Sequence, residues 1–111
     1  MTIKDVNDML SAIGVPYSYY HYMADGIPQT PYMIYAFPSE TTEDADDYGY
    51  GLTVTMVIRI YVNEKNFDIE KKVRDVFRQY ELPYTKNEDY VDGENVYLEE
   101  YTLSFYLDED E

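Results

Sequence analysis

Residues Gly51 to Val62 read GLTVTMVIRIYV, and their apolar and polar positions alternate almost without fault. Leu52, Val54, Met56, Ile58, Ile60 and Val62 fall on one side of a period of two. Thr53, Thr55, Val57, Arg59 and Tyr61 fall on the other. Alternation of this length, rich in β-branched side chains, predicts a long strand with one buried face. At about 3.3 Å per residue it spans roughly 35–40 Å. Its second side is polar only in part, because Val57 and Tyr61 also prefer cover, and that predicts a protein contact there.

A different period governs the segments on either side. Ile3, Val6, Met9, Leu10 and Ile13 recur at three- and four-residue steps, which predicts an amphipathic helix over 3–13. Thr2 with Asp5 forms a variant capping box at its start, and Gly14 and Pro16 close it. A second helix is predicted over 68–81, with Asn66 or Asp68 as its N-cap. Its buried stripe is Ile69, Val73, Val76, Phe77 and Tyr80, and its outer face carries Glu70, Lys71, Lys72, Arg74, Asp75 and Arg78. Leu82-Pro83 ends it.

Shorter runs read as strands: Tyr17–Met23, Tyr32–Phe37 (ended by Pro38) and Tyr84–Val91. The turn signal Asp92-Gly93 then leads into a last long strand, Val96–Leu107. In that strand Tyr101, Leu103, Phe105 and Leu107 point one way. Ala24–Pro31 reads as a loop, and His21, the lone histidine, as a packed strand residue. The order predicts one α+β domain over 1–107. Its sheet is mixed and largely antiparallel, of about five strands, with two helices packed on one face.

Charge changes the picture at two places. Glu40, Glu43, Asp44, Asp46 and Asp47 crowd into the segment after Pro38, so 39–51 is expected to be an exposed, mobile loop. The end of the chain, 108–111, is expected to be an acidic disordered tail. Across 111 residues the formal net charge is −15, which repels phosphate backbones and argues against adhesive nucleic-acid binding. An apolar share of 45 % favours folding over disorder, and no apolar run is long enough for a membrane span. The N-terminus lacks the pattern of a signal peptide, so synthesis in the cytoplasm is the expectation. Tyrosine is in excess, at 15 residues with no tryptophan, and suits half-buried strand positions and interfaces alike.

Candidate chemistry is sparse. There is no cysteine, no phosphate loop and no metal-binding motif, and the single histidine has no serine or carboxylate motif near it. Asp44, Asp46 and Gly49 match three positions of an EF-hand loop, but Tyr48 and Thr55 occupy two ligand positions and a strand follows, so that reading fails. No catalytic, cofactor or metal residues are expected, and the chain does not read as an enzyme.

Residues 58–105 carry a further pattern. A strand ending Ile58-Arg59-Ile60-Tyr61-Val62 is followed by Asn63-Glu64-Lys65 and an amphipathic helix. Leu82-Pro83-Tyr84, Glu88-Asp89-Tyr90-Val91 and the spaced aromatics Tyr97, Tyr101 and Phe105 come next. In the first half, Gly14-Val15-Pro16-Tyr17 and Pro31-Tyr32-Met33-Ile34-Tyr35 fit the same arrangement. This resembles the tail terminator (tail completion, tail-to-head joining) proteins of long-tailed siphophages infecting Gram-positive bacteria.

The resemblance implies a virion structural protein, a ring that is commonly a hexamer. Such a ring stops tail-tube growth, contacts the tube protein and the head-tail connector, and lets DNA pass without specific binding. Candidate subunit or partner contacts are then Tyr48, Tyr50, Val57, Arg59, Tyr61, Lys71, Arg74 and Arg78. Glu40, Glu43, Asp44, Asp46 and Asp47 become candidates for an acidic lumen or a docking loop that meets the basic helix of a second copy. Six copies would total about −90, and such self-repulsion opposes assembly at low salt. Two other readings stay open: an acidic DNA-mimic inhibitor, and another head-tail connector protein.

Overall fold

A computed structural model of the chain describes residues 1–22, 26–42 and 51–108. Its elements run α1 (Ile3–Ile13), β1 (Tyr17–Tyr19), β2 (Tyr32–Thr42), β3 (Gly51–Val62), α2 (Phe67–Gln79), β4 (Tyr84–Val91) and β5 (Val96–Asp108). The strands form one five-stranded sheet in the order β1-β2-β3-β5-β4. β1 is parallel to β2, and the other neighbours are antiparallel. This is the expected α+β architecture.

Local chemistry explains where the helices start and stop. The Thr2 hydroxyl accepts from the Asp5 N–H at 3.0 Å, and the Asp5 carboxylate accepts from the Thr2 N–H at 3.0 Å. Gly14 ends α1 at φ +82°, a conformation that side chains other than glycine's resist. At the start of α2 the cap is Asn66, whose side chain accepts from the Ile69 N–H at 3.1 Å. Both helices lie on the same side of the sheet. Val6, Met9, Leu10 and Ile13 of α1 and Val73, Val76 and Phe77 of α2 share one core with Val54, Met56, Ile58, Ile60 and Val62 of β3. Ile3 opens α1 exposed instead of joining that stripe.

Three expectations about strands need correction. β2 does not end at Pro38 but runs to Thr42, so residues 39–42 are strand and not loop. A bulge makes this possible: Ala36 pairs with Val57 and Ser39 with Thr55, so one extra residue is absorbed around Phe37-Pro38. Pro38 lies inside this bulge, where the register gives it no partner on β3. β1 itself stops at Tyr19, because Tyr20 turns to φ +70° and leaves the sheet. His21 is therefore exposed beyond the strand, not packed within it. At the other end, Asp108 pairs with Gly51 and belongs to β5 rather than to the tail.

The paired long strands stretch the molecule. Its extents are 50 × 29 × 21 Å and its radius of gyration is 15.1 Å, against about 13 Å for a compact chain of this length.

Candidate assembly surfaces and a buried charge cluster

No described helix covers the second face of the sheet. Strand register brings Tyr32, Ile34, Val57, Tyr61 and Leu98 onto it, all half-buried. Tyr32 stacks on Tyr61 with ring centroids 5.0 Å apart, and Tyr22 meets Tyr32 edge-on at 5.6 Å. Partial burial pushes the hydroxyls of Tyr22, Tyr32 and Tyr61 above the ordinary tyrosine range. Arg59 lies on the same face and donates to Glu100 on β5 at 2.8 Å. A shallow groove of about 130 Å³ lies beside it, between Tyr20, Ala36, Pro38, Val57 and Arg59. Three of the expected contact residues, Val57, Arg59 and Tyr61, thus share one surface.

The expected contacts on α2 face the opposite way. Lys71, Arg74 and Arg78 are exposed on α2, in the helical layer. Lys71 pairs with Asp75 at 2.8 Å, and Arg78 approaches the same carboxylate at 3.8 Å. Arg74 forms no ion pair among the described residues. Glu40 is exposed on β2 past the bulge, opposite Val54. Glu43, Asp44, Asp46, Asp47, Tyr48 and Tyr50 lie outside the described residues.

The chain matches no protein-family model and no curated protein. Its functional reading therefore rests on its own residues.

One constellation escapes a hydropathy pattern altogether. Glu99 on β5 is fully buried, and Glu70 on α2, expected on the outer face, is 3 % exposed. Glu88 on β4 joins them, opposite Glu99 in the strand register, and one oxygen from each of the three lies within 4.8 Å of the others. Two ammonium groups enter this cluster. Lys86 bonds Glu70, and Lys65 bonds Glu88 and lies 2.9 Å from Glu70. Burial raises the Glu70 carboxyl, but hydrogen bonds from Lys86 and Lys65 outweigh it and leave the group below its usual range. Glu88 is lowered chiefly by its bond to Lys65.

Glu99 goes the other way. Burial, then the neighbouring Glu70 charge, pushes its carboxyl up to about 7. Among the described residues its hydrogen bond comes from the Tyr101 hydroxyl, at 3.5 Å, and its second oxygen has no partner. Three carboxylates could ligate a divalent cation, but two lysines already supply positive charge at hydrogen-bonding range. One proton on Glu99 completes neutrality, so a proton fits this cluster better than a metal ion. The cluster ties the loop after β3 to α2, β4 and β5. Its period-two signal was present in sequence: Glu99 stands two residues before Tyr101, and Lys86 and Glu88 continue the side of Tyr84.

Proposed function

We propose that this chain is a structural protein of a long-tailed phage that assembles as a ring, caps the tail tube and offers the surface for head joining. The observation that carries this reading is the half-apolar, helix-free face of β2, β3 and β5, built from Tyr32, Ile34, Val57, Tyr61 and Leu98. A surface of that kind, on rigid strands, is suited to contact with protein. The resemblance in residues 58–105 supplies the kind of assembly. The net charge of −15 suits a channel through which DNA moves without being held. The lysine-neutralised carboxylate cluster ties α2, β4, β5 and the loop after β3 together, a use of charge that suits an architectural part.

The test is direct. Purified protein is sized by light scattering, imaged in negative stain, and incubated with isolated tail tubes that lack a terminator. Rings with a central hole, free or seated on tube ends, are the expected result. Tube ends that stay bare at saturating protein overturn the reading. Capture by cationic DNA-binding proteins, reversed by added DNA, would move the chain to the inhibitor class.

A further inference from the structure

Most cations of this acidic chain are already engaged with carboxylates: Lys4 with Asp8, Arg59 with Glu100, Lys65 and Lys86 in the buried cluster, and Lys71 and Arg78 with Asp75. Among the described residues, Lys72 and Arg74 have no such partner, and both are exposed on α2. Arg74 and Arg78 border an open groove of about 480 Å³ whose other walls are Glu81, Leu82, Pro83 and Tyr84. The groove therefore combines an apolar floor with two guanidinium groups and one carboxylate. It sits where α2 ends and β4 begins.

The far end of β4 has the converse chemistry. Asp89, Asp92 and Glu94 cluster in and beside the β4–β5 turn, all exposed, with no cation within ion-pair distance among the described residues. Tyr90 stands with them, 42 % exposed. This tip is already ordered. The N–H groups of Glu94 and Asn95 donate to the Val91 carbonyl at 3.1 and 2.9 Å, the Tyr90 hydroxyl donates to Asn95 at 3.2 Å, and the Tyr90 and Tyr97 rings meet at 4.9 Å. A preformed tip loses little conformational entropy when it docks.

We infer that the acidic Tyr90–Glu94 tip of one copy docks into the Arg74–Arg78 groove of a second copy, joining copies head to tail along the edge of the sheet. The two surfaces complement each other in charge and in kind. Carboxylates meet guanidinium groups, and an exposed tyrosine ring meets arginine planes and an apolar floor. Tip and groove lie at opposite ends of an eight-residue edge strand, roughly 25 Å apart at the usual rise. One copy can engage both neighbours at once. A contact between two different surfaces is heterologous, and repetition of it closes a ring or extends a filament. This inference deepens the assembly reading above by naming a contact between its subunits, but it stands or falls by a different experiment.

Two variants, R74E/R78E and D92K/E94K, are sized by light scattering alone and as an equimolar mixture, with circular dichroism to check folding. Each variant alone is expected to run as monomer where the wild type is oligomeric. For D92K/E94K this loss comes although the chain is less negative than −15, so relief of general self-repulsion predicts the opposite. The mixture is expected to assemble, because an acidic groove then meets a basic tip and a basic groove meets an acidic tip, in alternation. Variants that assemble alone like the wild type, or a mixture that stays monomeric, overturn the inference. So does a wild type that is monomeric up to its solubility limit. Bare tail tubes beside a rescued mixture would sink the terminator reading alone. Capped tubes with unaffected variants would sink the tip-and-groove contact alone.

Discussion

Val57 and Ile58 are neighbours in the chain and point to opposite faces of one strand, and the two faces do different work. Ile58 is fully buried under α1 and α2 together with Met56, Ile60 and Tyr101. Val57 lies half-covered between Ala36 and Thr102, beside the Arg59–Glu100 pair. The covered face concentrates the apolar burial that holds the fold. The open face keeps just enough apolar area to recognise another protein and enough hydroxyl and charge to stay wetted. A substitution that is severe on one face should be nearly silent, for stability, on the other.

The largest effect should come from Ile58→Ala. Loss of a fully buried side chain in the middle of the sheet costs about 4 kcal/mol, read as a lowered urea midpoint at unchanged slope. A loss under about 1 kcal/mol would mean the covered face is loosely packed.

The buried charge cluster sharpens the contrast, because it places titratable groups on the covered face. A carboxyl whose folded pKa of about 7 exceeds its unfolded value of about 4.5 binds its proton more tightly in the folded state. Stability must then fall as pH rises from about 4.5 to about 7 and level off above, by up to about 3 kcal/mol from this residue. Surface self-repulsion adds a slope of the same sign, so the decisive measurement compares wild type with Glu99→Gln across that range. The variant should lose the Glu99 share of the slope. Parallel curves would show that Glu99 titrates normally. Glu70 and Glu88 have lowered values and act in the opposite sense: their contribution is lost as pH drops below about 4.5.

Lys86→Ala should come next, at about 2 kcal/mol, since it leaves Glu70 and Glu99 short of a cation but Lys65 remains beside them. Adding Glu99→Gln to it should recover part of the loss, and strict additivity of the two would break the idea of one coupled cluster. The smallest effects belong to the open face. Val57→Thr and Arg59→Ala should each change stability by less than about 1 kcal/mol, while altering the apparent mass in solution if that face is used in assembly.

How far these faces can be foreseen depends on the residue. Alternation alone places β3, because each side chain of that strand obeys its face, and the 3.6-residue stripes with their caps place α1 and α2 within one or two residues. β2 is harder, since a proline and a bulge interrupt its alternation, and the pairing that carries it on to Thr42 comes from β3. His21 misleads because a positive φ at Tyr20 ends β1 inside an aromatic run that looks continuous. Glu70 and Glu99 stay hidden to a hydropathy reading, which assigns every carboxylate to solvent. Lys65 and Lys86, brought from a loop and an edge strand, make the burial of Glu70 tolerable, and a proton does so for Glu99. Of the candidate contacts, Val57, Arg59 and Tyr61 come together by strand parity, and the basic residues of α2 follow from its stripe. The acid tip of the β4–β5 turn announces itself in sequence only as a turn, because its relation to the groove is set by the length of β4.

The strand order has a consequence for how the protein is made. Of the five strands in this sheet, β5 leaves the ribosome after the others, yet it lies inside, between β3 and β4. Until it emerges, β3 has one bare edge and β4 has no neighbour at all. The nascent chain must therefore wait with its central strand half-paired, and sheet closure is a late, non-local event of the kind that folds slowly and invites off-pathway pairing. The charge of the chain offers a remedy during that interval: copies on adjacent ribosomes repel one another until the final strand is in place.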